Sequence, residues 1–157
     1  MNRRRRQVLK SGSGATLLAL VAAAGWLKPG EASAQSWNKA AFDTKSMADT
    51  MKALGGGEPV QSKDIVFFQT PDIAENGAVV PVGITSNIPK TESIAVLIEK
   101  NPNMLAAVFD IPAGTEPSIS TRVKMGQSSN IYALVKADGK YYFAAKDVKV
   151  TLGGCGG

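Results

Sequence analysis

From Ile65 onward the chain reads as a succession of short apolar segments cut by turn residues, and this rhythm constrains the fold more than any other feature. The segments "IVFFQT", "GAVVPVGIT", "SIAVLIEK", "LAAVFDI", "SISTRVKM", "IYALVKA", "KYYFAAK" and "VKVTL" follow one another, separated by Asn87, Pro89, Asn101-Pro102, Pro112 and Gly126. Runs of this length, rich in β-branched and aromatic residues and bounded by Gly, Pro and Asn, are strands. Seven or eight in succession predict a mainly β fold, an immunoglobulin-like antiparallel β-sandwich. Asp138-Gly139 lies between two apolar runs. It supplies the two positive-φ positions of a type I′ turn, so the flanking strands form a hairpin. Pro81 cannot donate to a ladder, which puts its strand at an edge or on a bulge. Such an edge is either self-protecting or covered by another subunit.

Ahead of the strands, "SWNKAAFDTKSMADTMKALGGG" reads as one or two short helices, because Met47, Met51 and Leu54 recur at helical spacing and Gly55 to Gly57 provide a stop. A methionine stripe of this kind is core packing. The first 34 residues have the plan of a signal peptide: basic "MNRRRRQVLK", apolar "ATLLALVAAAGWL" and a small-residue cleavage site at Ala32 to Ala34. The apolar run is too short for a membrane span. Arg5 and Arg6, followed by Gln7, Val8, Leu9 and Lys10, resemble a twin-arginine export signal. Residues 1–34 are therefore expected to be removed on export of a folded protein to a bacterial periplasm. Residues 35–152 form the domain, and 153–157 form a tail.

The whole chain carries a net charge of +5, but the expected leader holds six basic residues and one acidic residue, leaving 12 of each sign. The basic excess belongs to the leader and gives no support for a nucleic-acid partner. The chain has no histidine and one cysteine. Ser-His and Cys-His pairs, histidine metal sites, an internal disulfide and a thiolate metal cage are excluded on that ground. The carboxylates are scattered singly, and Glu75 before Asn76-Gly77 reads as a solvated turn residue. "GGGE" lacks the Lys-Ser/Thr of a phosphate loop. The chain is poorly equipped to be an enzyme.

The single cysteine stands in "VKVTLGGCGG", the last ten residues. Val148, Val150 and Leu152 alternate with Lys149 and Thr151, the pattern of a half-buried strand that ties the chain down to about Leu152. Beyond it Gly153, Gly154, Cys155, Gly156 and Gly157 carry no side chain except the thiol, and span at most roughly 17 Å. Such an arm is narrow and conformationally free. The tail holds no base or cation that would lower the thiol pKa, so activation must come from whatever receives the arm. Cys155 reads as a covalent attachment point. Two other classes remain open: a thiol–disulfide exchange protein, which usually shows a resolving cysteine or a depressed thiol pKa, and a ubiquitin-like carrier that uses a terminal thiocarboxylate.

The terminal "GGCGG", the upstream "PDIAENGAVVPV" at 71–82, the ending "ADGKYYFAAKDVKVTLGGCGG" and the twin-arginine leader together resemble the SoxY family, the sulfur-carrier subunits of bacterial thiosulfate oxidation. The resemblance implies an immunoglobulin-like fold paired with a second β-sandwich subunit, SoxZ, and no haem, metal or other cofactor in the carrier itself. It implies that Cys155 is joined oxidatively to thiosulfate by the haem enzyme SoxAX as a cysteine S-thiosulfonate. The thiosulfohydrolase SoxB would then release sulfate, and SoxCD, where present, would oxidise the remaining sulfane sulfur. Gly153, Gly154, Gly156 and Gly157 would form the swinging arm. No nucleic acid and no stable membrane association are implied.

Overall fold

The computed structural model describes residues 38–151 of the 157. The expected leader, with Arg5 and Arg6, and the tail from Leu152 onward, with Cys155 and its four glycines, lie outside the described residues. Two short helices come first, α1 (Lys39–Phe42) and α2 (Met47–Ala53). Ser46 caps α2 by accepting from the Asp49 N–H at 3.1 Å and donating to the Asp49 carboxylate at 2.7 Å. Gly55 ends it at φ +72°, with Gly55 N–H on the Lys52 carbonyl and Gly56 N–H on the Met51 carbonyl. This is a Schellman stop, which glycine meets without Cβ strain.

Nine strands follow among the described residues: β1 (Val60–Gln61), β2 (Ile65–Phe67), β3 (Ile73–Ala74), β4 (Val80–Ser86), β5 (Thr91–Ile98), β6 (Leu105–Asp110), β7 (Ser118–Val123), β8 (Ser129–Ala137) and β9 (Lys140–Val150). The larger sheet runs β1-β9-β8-β5-β6, with β3 also on β9, and the smaller runs β2-β4-β7. The two sheets form an immunoglobulin-like sandwich. Val80, Val82 and Ile84 of β4 meet Ile94, Val96 and Ile98 of β5, Ile131, Ala133 and Val135 of β8 and Val148 of β9 in one buried cluster. Each such aliphatic side chain beyond alanine contributes about 1.5–3 kcal/mol on full burial. The other face of β5 and β8 carries Ala95, Leu97 and Leu134, which pack beneath Ala41 and Met51 of the helices. Residues 94–98 are thus buried on both faces, which is why "IAVLI" is unbroken by polar residues.

The structure meets the hairpin expectation, since Asp138 and Gly139 take φ 49° and 72° and Ala137 pairs with Lys140. The helical stripe is also as expected, with Met51 buried and Met47 and Leu54 packed around it. Three readings are corrected. "KYYFAAK" and "VKVTL" are one strand, because nothing between them breaks the ladder to β8. The sandwich is not wholly antiparallel, since β1 and β3 pair with β9 in parallel. Pro81 lies in the central strand of the small sheet, in an unbulged register with β7. β2 reaches only Ile84 to Ser86, so at Pro81 β4 is paired on one side alone and the missing N–H costs no ladder bond.

Candidate functional site

The arm's root is built where β9 ends. Val148 is fully buried and Val150 partly so, while Lys149 and Thr151 are exposed, the alternation expected from the sequence. Three bonds hold the last described residues. Lys149 N–H donates to the Asp72 carbonyl at 2.9 Å, Thr151 N–H donates to the Ala74 carbonyl at 3.0 Å, and Val150 N–H donates to Ser128 Oγ at 2.9 Å. β9 is therefore clamped on both edges up to the residue from which the tail departs.

The segment 71–82 supplies one side of that clamp. Its β3 lies parallel to β9, with Ile73 opposite Lys149 and Ala74 opposite Val150. The Asp72 carboxylate bonds Lys146 Nζ at 2.9 Å, and that bond holds the Asp72 carboxyl below the usual carboxylate range. Asn76 turns the chain by accepting from Ala78 N–H on its side-chain oxygen at 2.9 Å and from Val79 N–H on its carbonyl at 3.2 Å. Gly77 is buried, and its carbonyl accepts from Met125 N–H at 2.7 Å. Glu75 is exposed, as the sequence reading expects. Asp72, Ala74, Gly77 and Ser128 escaped the sequence reading. Their partners are distant along the chain, and only the quoted run 71–82 signalled them.

The last strand among the described residues is thus pinned on both edges up to Thr151, within an immunoglobulin-like sandwich. The family described as "Sulfur oxidation protein SoxY" matches residues 50–155. The chain belongs to the SoxY family. A solved structure, the sulfur carrier protein SoxY from Chlorobium limicola f thiosulfatophilum, is 36% identical, with a TM-score of 0.60 over 67% of this chain and 96% of that one. Two structures of the superoxide reductase (neelaredoxin) from Ignicoccus hospitalis follow at TM-scores of 0.48 and 0.49 and identities of 17% and 16%. They cover 55% and 69% of this chain and 79% and 100% of theirs, and carry no functional argument. No curated protein matches the chain at a significant level. Family and fold support a carrier role in sulfur oxidation, as in the Chlorobium protein.

Proposed function

We propose that the protein is a periplasmic carrier of thiosulfate oxidation, delivered by the twin-arginine leader at residues 1–34, and that its cargo is held on Cys155. The observation that supports this most is the clamp at Lys149 to Thr151, which ends four residues before Cys155 and the glycines at 153, 154, 156 and 157 that flank it. A rigid root and a bare arm let one thiol be enclosed in turn by several pockets, at most about 14 Å from Thr151.

In the loading step Cys155 Sγ bonds the sulfane sulfur of thiosulfate, the thiol proton leaves, and two electrons pass to the haem enzyme SoxAX. The product is the S-thiosulfonate. Water then attacks the terminal sulfonate sulfur in SoxB, the S–S bond to it breaks, and sulfate leaves a persulfide on Cys155. SoxCD oxidises that sulfur where it exists. The protein works as a heterodimer with SoxZ and performs none of these reactions itself. The sandwich stands against the ubiquitin-like reading, and the lack of a second cysteine stands against disulfide exchange.

Reconstitution with these enzymes tests the reading. Cys155→Ser is expected to abolish thiosulfate-dependent turnover with unchanged folding and SoxZ binding. Turnover at the wild-type rate would reject Cys155 as the carrier site.

A further inference from the structure

The outer edge of β9 is covered at two places and, among the described residues, bare between them. β1 covers it at Tyr142 and Phe143, where Ser62 N–H donates to the Phe143 carbonyl at 2.9 Å. β3 covers it again at Lys149 and Val150. The intervening chain leaves the edge to form β2 in the other sheet. In an antiparallel ladder, residues alternate between bonding the partner strand and turning both backbone groups away from it. Lys140 follows the two-residue turn, so Lys140, Tyr142, Ala144, Lys146 and Val148 bond β8. The odd-numbered residues face outward, as the bonds from Ser62 N–H to the Phe143 carbonyl and from Lys149 N–H to the Asp72 carbonyl confirm. Ala145 and Asp147 thus present two N–H and two C=O groups to the gap, and among the described residues none bonds them. A cleft of about 550 Å³ lies alongside, lined by Asp72, Ile73, Ala145, Lys146, Asp147 and Lys149. Ile73 is 58% exposed there.

We propose that this notch docks an extended peptide segment of the enzyme that encloses the arm, added as a short strand on Ala145 to Asp147. The proposal rests on the reading of Cys155 as the carrier site. An enzyme pocket around Cys155 lies within about 14 Å of Thr151, and Asp147 is four residues back on the same strand, about 13 Å away. An enzyme large enough to enclose the thiol therefore has the notch within reach along β9. Asp147 and Lys149 lie on the cleft face without an ion pair among the described residues. They favour a segment carrying one acidic and one basic side chain two residues apart.

Ala145→Pro tests this, since it removes an N–H that β8 does not use and proline is tolerated where that group faces outward. With the enzyme that releases sulfate from the loaded thiol, kcat/KM is expected to fall at least about tenfold, by more than 1.4 kcal/mol of transition-state stabilisation. Ala145→Ser, which keeps the N–H, should match wild type. Hydrogen exchange on the Cys155→Ser heterodimer provides a readout free of the proline. The Ala145 and Asp147 amides should exchange freely in the heterodimer and become protected when the enzyme is added. Wild-type kcat/KM in a folded Ala145→Pro protein would overturn the proposal. So would protection already present in the heterodimer alone, or rapid exchange persisting in the enzyme complex. Full turnover of Cys155→Ser would instead remove the carrier reading beneath it.

Discussion

A Cβ at Gly77 would lie 2.6 Å from the Met125 carbonyl oxygen and 2.8 Å from Val150 Cγ1, so alanine there must push the 71–82 segment away from the strand it clamps. Gly77→Ala is expected to cost about 1–3 kcal/mol, measured by urea unfolding. Asp72 makes a second test at the same root. Its folded pKa is depressed by the Lys146 bond, so its contribution is present above the ordinary aspartate pKa and is lost as pH falls through the depressed value. The window therefore lies below about pH 4. The Lys149 and Thr151 amide shifts should be steady from neutral pH down to that point and move together below it. Asp72→Asn should abolish that step. At this scale the sequence was only partly legible. It marked 71–82 as distinctive, but the groups that make Gly77 and Asp72 matter, on Met125, Val150 and Lys146, are neighbours only in the fold.

The elements most visible in the sequence are those specified by local chemistry. Asp138-Gly139 dictated its hairpin, and Gly55 to Gly57 dictated the end of α2. β1 and β3 were hidden because two residues are too few to show a period, and their pairing depends on where β9 lies. β9 was read as two strands because the exposed Asp147 interrupts its apolar pattern, although it faces outward and leaves the β8 ladder unbroken. The helices test whether the second apolar cluster contributes to stability as well as covering a sheet. Met51 is 3% exposed and packs with Leu97, Leu105 and Leu134. Met51→Ala is expected to destabilise by about 2–5 kcal/mol, visible as a lower Tm with retained β-sheet circular dichroism below the transition. A change under about 0.5 kcal/mol would mean that the helices are only loosely held.

At the scale of the whole molecule, the proposed function divides labour between the sandwich and a tail that would hold the cargo on Cys155. The sequence marks the tail by a lone thiol among glycines, and that tail lies outside the described residues. The clamp beneath it was legible only as far as β9 itself. If each enzyme encloses the arm, Gly154→Val and Gly156→Val should slow transfer, because a branched Cβ widens the chain and removes positive-φ conformations. Gly153→Val, closer to the clamp, should have the smaller effect, with little change in Tm for any of the three. Steady-state turnover with each purified enzyme would show the order, and wild-type rates for all three would mean that length and thiol suffice. The central claim, that sulfur travels on Cys155, is tested most directly by intact-mass measurement of the protein isolated from cells oxidising thiosulfate. The account predicts sulfur-containing adducts that a reductant removes and that are absent from Cys155→Ser. An unmodified mass in actively oxidising cells, or an adduct that persists in Cys155→Ser, would contradict it.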